Sequence, residues 1–223
     1  MTFYKNRLYW CFAKPGVTLL PDGSKIRHTQ DGWKSTDIHD NPLDMGRLSG
    51  KLLSMQGFRG TICAVKEFNY LVRKINGEHS PVEQAALDAR DALLHALEEI
   101  IKRLDWKEFE ELTDLIFRQA GWQRISQLGK TQKTLDLDLF SPIANERYLV
   151  QVKSKADRKL FEEFQEETAG MDDYTRYYLV VHTPLSNLDK ALETDTHKLW
   201  LPAGIAGLVV QYGLVDWVIE KAT

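Results

Sequence analysis

The sequence has little of what marks several common protein classes. Its 223 residues include two cysteines, Cys11 and Cys63, which are too few for a disulfide framework and lie in no CxxC or Cys/His zinc spacing. No run approaches the roughly 20 apolar residues that cross a bilayer, and the first residues lack the apolar core of a signal peptide. We therefore expect a cytoplasmic protein that does not enter a membrane.

The sequence also lacks an excess of positive charge. The 29 lysines and arginines are outnumbered by 32 aspartates and glutamates, which gives a formal net charge of -3. No global field therefore favours nucleic acid as a partner. Hydrophobic residues make up 43% and charged residues 27%, the balance of a folded globular protein. A nucleic acid would have to bind a local basic surface.

Turn signals and apolar periodicity divide the chain into three parts. Residues 1–79 mix short apolar runs with turns, which predicts a small β-rich module and makes it a candidate for nucleic-acid recognition. Residues 80–104 predict a long connecting helix, because Ser80 and Glu83 form a capping signal around a proline. Residues 105–223 form the third part.

The first part contains short predicted elements and two tryptophans of open role. Strands are predicted at 9–12, 17–20 and 57–62, and a helix at 65–75. Trp10 and Trp33 are accompanied by Lys14, Lys25 and Arg27. These residues either form a base-stacking surface or contain ordinary core tryptophans.

The third part predicts a mixed α/β (α+β) domain. Asp105 and Glu108 repeat the capping signal, and Gly121 ends the helix that they begin. Strands follow at 122–127, 134–141 and 147–154, then a helix at 157–168, a buried strand at 176–182 and a helix at 202–211. An apolar tail completes the sequence, and the order of the core is αβββαβ.

The segments LDLDLF and YLVQVKSK place polar side chains together. Side chains alternate between the two faces of a strand, so Asp136 and Asp138 share one face, as do Gln151, Lys153 and Lys155. A hairpin centred on residues 144 and 145 would set Asp138 opposite Gln151 and Asp136 opposite Lys153. A carboxylate, an amide and an ammonium group would then converge.

These groups suit metal-assisted hydrolysis of a phosphodiester. Carboxylate and amide oxygens are ligands for Mg²⁺, and a nearby ammonium group can orient the attacking water and offset charge on a phosphate. A third acid comes from the helix, where Glu108 and Glu111 are expected to face solvent. Glu110 lies on the stripe of aromatic residues, so it could contact the same metal or a second one.

The residues resemble a known nuclease family. WKEFEELTDLIFRQAGW, LDLDLF and YLVQVK are similar to the catalytic domain of Mrr-type restriction endonucleases, in the PD-(D/E)xK superfamily, over residues 104–182. The resemblance implies a restriction-endonuclease-like αβββαβ core. It implies Glu110 as the helix acid, Asp138 as the metal aspartate and Gln151 as the Glu/Gln ligand. It further implies Lys153 as the lysine and the Val152 carbonyl as another metal ligand.

The sequence departs from that family at several points. The glycine-rich approach to the aspartate is replaced by GKTQK, so Asp138 is preferred to Asp136 on its spacing to Gln151, and Asp136 stays an additional candidate. Gln151 lowers the negative charge of the site. The first third shows no winged helix.

Basic residues are concentrated around the predicted site. Residues 121–160 carry eight lysines and arginines against four acids, so phosphate contacts could concentrate there. Lys155 is the first candidate for a phosphate contact, with Lys133 and Lys130 as further candidates. An ordinary solvated face is the alternative.

These observations lead to one functional hypothesis and two alternatives. The hypothesis is an Mg²⁺-dependent DNA endonuclease of restriction or genome defence, with Mn²⁺ as a substitute metal and no small-molecule cofactor. A homodimer is expected, because cutting both strands needs two active sites. The alternatives are a catalytically silent nucleic-acid-binding or assembly protein with a nuclease fold, and a structure-specific nuclease on branched DNA or RNA.

Overall fold

The architecture is taken from a computed structural model, which describes residues 1–60, 62–125 and 136–221. The chain forms two compact units, Met1–Leu87 and Asp88–Thr223. The boundary falls inside the long helix Pro81–Ile101. No helix among the described residues combines the length and the apolar character needed to cross a membrane.

The N-terminal unit is built from short elements. They are β1 (Thr2–Tyr4), β2 (Arg7–Tyr9), β3 (Thr18–Leu19), β4 (Lys25–Ile26), α1 (Gly50–Leu53) and α2 (Phe68–Ile75). Strands β1 and β2 pair with each other, as do β3 and β4, both antiparallel. The strand predicted at 57–62 is wrong for its described residues, which begin in a 3-10 turn at Ser54–Gly57. Its two glycines have no side chain to pack in a sheet.

The two tryptophans of this unit have different environments. Trp10 packs in a small core with Leu8, Leu43, Leu52 and Leu71. Its indole N–H donates to the Thr36 carbonyl at 2.8 Å, so the polar edge of the ring is satisfied inside the core. Trp33 is exposed.

The C-terminal unit contains the predicted αβββαβ order. After α3 (Pro81–Ile101) come α4 (Trp106–Gln119), β5 (Gln123–Arg124), β6 (Leu137–Ser141), β7 (Glu146–Ala156), α5 (Arg158–Thr168), β8 (Arg176–Pro184), β9 (His197–Trp200), α6 (Pro202–Gln211) and α7 (Val215–Lys221). The mixed α/β fold is confirmed. Strand β9 was not predicted, because four residues flanked by polar residues give little periodicity. Helix α7 replaces the predicted apolar tail.

One sheet connects these elements in the order β5-β6-β7-β8-β9. Strands β5, β6 and β7 are antiparallel, whereas β7, β8 and β9 are parallel. Helices cover both faces, which explains why β8 reads as a continuous apolar run. Val150 and Val180 pack on one face with residues of α4, α6 and α7. Leu149 and Leu179 pack on the other face with residues of α5.

Candidate active site

Helix α4 is the element that positions Glu110. The Asp105 carboxylate accepts from the Lys107 N–H at 2.8 Å, and the Glu108 carboxylate accepts from the Asp105 N–H at 3.0 Å, so the predicted capping box is present. The apolar side of the helix is buried through Phe109, Leu112 and Ile116. Burial of that side fixes the rotation of the helix and leaves Glu110 half-buried at its margin.

The β6–β7 hairpin has a different register from the one expected. Asp138 is opposite Leu149 and Leu137 is opposite Val150, so the predicted pairings of Asp138 with Gln151 and of Asp136 with Lys153 are wrong. The last pair, Ser141 with Glu146, encloses a four-residue turn. Asn145 takes a positive φ of 53° in this turn, and the hairpin is therefore centred one residue earlier than expected.

Asp138 is held by an arginine. Arg147 donates to both carboxylate oxygens of Asp138, at 3.2 and 2.6 Å. The carboxylate is buried, with the residue 7% exposed, and the Arg147 guanidinium lies over the Tyr174 ring at 4.9 Å. The hydrogen bonds with Asp138 raise the pKa of Arg147. Asp138 and Arg147 thus form a two-bond ion pair at the base of the hairpin.

Asp136 is held against the backbone of β7. Its N–H donates to the Val150 carbonyl at 3.2 Å, although Val150 is already the partner of Leu137. The Asp136 carboxylate accepts from the Val152 N–H at 2.7 Å. This bond places the carboxylate at the backbone between Gln151 and Lys153.

Glu110 and Asp136 share an electrostatic environment with Arg124. The Arg124 guanidinium lies 3.8 Å from the Glu110 carboxylate and donates to the Asp136 carbonyl at 3.0 Å. Burial raises the pKa of Glu110 above its usual value, and the negative charge of Asp136 raises it further, whereas Arg124 lowers it. Burial is the main cause of this raised pKa, and Arg124 compensates only part of the negative charge near Glu110.

The remaining candidates lie along β7. Val152 packs on the α4 side of the sheet, so alternation places Gln151 and Lys153 on the opposite face. Gln151 is buried at 5% exposure, Lys153 is half-buried and Lys155 is exposed. The other two lysine candidates, Lys130 and Lys133, lie outside the described residues.

Part of the chain matches a known protein family. Residues 101–193 match the family model of a restriction endonuclease, the Mrr catalytic domain. The match is consistent with a Mrr-type catalytic domain in this segment. The segment contains every element from α4 to β8, and it covers less than half of the 223 residues. No curated protein and no solved structure matches the chain.

Three residues of the Mrr-type domain contribute to the site without having been singled out in the sequence. Arg124 bridges Glu110 and Asp136, and Arg147 binds Asp138. Asp114 lies one turn after Glu110 and is buried; one of its oxygens pairs with Arg118 at 2.6 Å, and the other has no partner among the described residues. The spacing of four residues between Glu110 and Asp114 was the available signal.

The Mrr-type segment contains oxygen donors of the kind that a hard divalent cation binds. In the parts of the chain that the structure describes, no three His, Cys, Asp or Glu side chains gather into a metal-binding group. The donors present are instead of mixed type: the Asp136 and Glu110 carboxylates, the Gln151 amide and the Val152 carbonyl. Mg²⁺ commonly takes one or two carboxylates and completes its shell with waters and substrate oxygens.

Proposed function

We propose that this protein is an Mg²⁺-dependent endonuclease that hydrolyses the phosphodiester bonds of DNA, with Mn²⁺ as a substitute and restriction or genome defence as its role. The Mrr-type segment supports the reaction class. The observation that carries the proposal is the Asp136 carboxylate, which accepts from the Val152 N–H between Gln151 and Lys153 and whose residue is linked to Glu110 through Arg124. A homodimer is part of the proposal, because a double-strand cut needs two such sites.

Asp136, rather than Asp138, is our candidate for the main metal aspartate. Both oxygens of Asp138 already accept from Arg147, and metal binding there would break an ion pair whose carboxylate is buried. Asp136 uses one carboxylate oxygen for the Val152 N–H and keeps lone pairs for a cation. Asp138 then acts as a positioning residue that holds the hairpin through Arg147.

The proposed chemistry divides among few groups. A bound Mg²⁺ supplies a Lewis acid at the scissile phosphate and a more acidic bound water. Asp136, Gln151 and the Val152 carbonyl would hold the ion, and Glu110, which lies on the α4 side of the sheet, would bind a second ion or a metal-bound water. The Lys153 ammonium group orients the attacking water and offsets the negative charge that develops on the phosphate. Lys155, Lys133 and Lys130 are proposed phosphate contacts.

Plasmid cleavage tests the reaction and the choice of aspartate together. We expect wild-type protein to nick or linearise supercoiled plasmid with Mg²⁺, and Asp136→Asn and Lys153→Ala to slow cleavage by at least about 100-fold. Asp138→Asn is the matched control and should retain cleavage within about tenfold. Mn²⁺ binding, followed by electron paramagnetic resonance, should weaken in Asp136→Asn. If Asp138→Asn loses both cleavage and Mn²⁺ binding while Asp136→Asn keeps them, the assignment is reversed.

A silent nucleic-acid-binding or assembly protein is the second candidate. It is favoured by Gln151, because an amide in place of a carboxylate leaves the proposed site with less negative charge to hold a cation. Binding of DNA without cleavage of plain, modified or branched substrates, in Mg²⁺ and in Mn²⁺, would support it. Faster cleavage of a four-way junction or of RNA than of plasmid would instead identify a structure-specific nuclease.

A further inference from the structure

Residues 10–34 of the N-terminal unit form a long two-stranded ribbon. Bridges join Trp10 to Lys34 and Ala13 to Thr29, and the Lys14 N–H donates to the His28 carbonyl at 2.7 Å. Further along, β3 pairs with β4. The Leu20 N–H donates to the Ser24 carbonyl at 2.8 Å and closes the tip. The ribbon is antiparallel from end to end, with irregular stretches between its paired segments.

Most of the ribbon is open to solvent. Every residue from Phe12 to His28 is exposed except Leu20. Its apolar side chains include Phe12 at 64%, Leu19 at 67% and Trp33 at 53% exposure. These large apolar side chains are not buried in the core of the unit, so they do not stabilise it by burial. Exposed apolar groups beside polar ones are typical of binding surfaces.

One end of the ribbon combines aromatic and basic groups. The Trp10 and Phe12 rings meet edge to face with centroids 5.7 Å apart, and the Lys34 ammonium lies over the Trp10 ring at 5.5 Å. Lys14 follows Phe12 by two residues, and its backbone pairs with that of His28. This end therefore carries two lysines and a histidine near an exposed phenylalanine.

The distribution of net charge favours binding of an anionic ligand to the N-terminal unit. Residues 1–87 contain 12 lysines and arginines against eight aspartates and glutamates, whereas residues 88–223 contain 17 against 24. The first unit is therefore +4 and the second -7, which together give the -3 of the chain. A polyanion is attracted to the first unit and repelled on average by the second.

We propose that the ribbon, residues 10–34, is a binding arm for duplex DNA, an inference that rests on the proposed nuclease function. Neighbouring strands lie about 4.8 Å apart, so a two-stranded ribbon is narrow enough to enter the major groove, which is about 12 Å wide. Lys14, Lys25 and Arg27 contact phosphates, and Phe12 makes apolar contact in the groove. A single-stranded ligand is disfavoured, because stacking needs a row of exposed rings, and of the three rings of the ribbon Trp10 is buried, which leaves Phe12 and Trp33 far apart in the sequence.

Fluorescence anisotropy with a labelled duplex, in EDTA so that no cleavage occurs, tests the proposal. We expect the triple variant Lys14→Ala, Lys25→Ala, Arg27→Ala to bind at least about tenfold more weakly. Its plot of log K against log salt should be shallower by about 2 to 3. Phe12→Ala should weaken binding several-fold with an unchanged salt slope.

The matched control removes the same charge elsewhere in the same unit. Lys51, Arg59 and Lys66 are exposed and lie outside the ribbon, so their triple alanine variant should bind nearly as wild type. Equal losses in both triple variants, or tighter binding of a single-stranded oligonucleotide than of the duplex, would overturn the proposal. The charge-conserving variant Lys14→Arg, Lys25→Arg, Arg27→Lys should keep duplex binding, which distinguishes lost contacts from lost folding.

The ribbon and the nuclease proposal fail in different ways. If Asp136→Asn abolishes cleavage while the ribbon triple variant binds duplex normally, the ribbon proposal falls alone. If wild-type protein binds duplex through the ribbon but cleaves nothing, the nuclease proposal falls and the binding arm remains.

Discussion

Asp136 and Asp138 are one residue apart and have different partners. A backbone N–H holds Asp136, and a guanidinium group holds Asp138. The sequence shows the two residues as equivalent members of one alternating strand, and only their partners distinguish them. Whether a carboxylate can accept a cation depends on those partners.

Glu110 should make stability depend on pH. Burial and the negative charge of Asp136 raise the pKa of Glu110 in the folded protein. The contribution of Glu110 to the free energy of unfolding is therefore most favourable below its unfolded-state pKa, about 4.3. That contribution is lost as the pH rises through the raised folded-state pKa. We therefore expect Glu110→Gln to melt at a higher temperature than wild type at pH 8 and to lose this advantage at pH 4. Thermal denaturation by circular dichroism measures both. The same variant should bind Mn²⁺ more weakly, and a lower melting temperature at pH 8 would contradict the expectation.

Arg147 should matter more for stability than most partly exposed arginines. Removing it leaves the buried Asp138 carboxylate without its positively charged partner, so we expect Arg147→Ala to cost about 2 kcal/mol, below the range for fully buried pairs because Arg147 is partly exposed. Urea denaturation measures the change. The double variant Arg147→Ala, Asp138→Asn should recover part of the loss. If the loss of unfolding free energy in the double variant equals the sum of the losses in the two single variants, the two side chains are not coupled.

At the scale of elements, the start of α4 was readable from the sequence, whereas the register of β6 and β7 was not. A capping box is a local pattern of four residues. Register depends on which turn closes the hairpin, and Asn145 sets that turn by adopting a positive φ. Strand β9 and the ends of the N-terminal strands depend likewise on partners that are distant in the sequence.

The capping box of α4 gives a prediction for this element. Asp105→Ala should lower the free energy of unfolding by about 1 kcal/mol, because the first N–H groups of the helix lose an acceptor. Asp105→Asn is the matched control and should be nearly neutral, since asparagine caps helices as well as aspartate does. Chemical denaturation compares the two. Similar losses in both variants would mean that the charge of Asp105, rather than its hydrogen bond, stabilises the helix.

At the scale of the whole molecule, charge is distributed unevenly between the two units. The -3 of the chain is the sum of a +4 unit and a -7 unit. An average over the sequence therefore says little about nucleic-acid binding. Local fields at each unit decide which part attracts DNA.

The expected homodimer gives a prediction for the whole molecule. Mixing wild-type protein with excess Asp136→Asn should convert linear plasmid product into nicked product, because a mixed dimer cuts one strand only. Agarose gel electrophoresis follows the two products. Analytical ultracentrifugation should show a dimer at the concentrations used. Unchanged linear product, together with a monomeric sedimentation coefficient, would contradict the dimer.

The sequence by itself determined the αβββαβ order of the core, the α4 cap and the residue types of the site, because periodicity, capping and composition act over a few residues. It also carried the resemblance that the family match confirms for residues 101–193. Only the tertiary structure decided which aspartate contacts Val152 and which one pairs with Arg147. It also decided that Trp10 is buried while Trp33 is exposed. Those outcomes depend on strand register and on contacts between distant residues, and side-chain alternation along one strand cannot specify either.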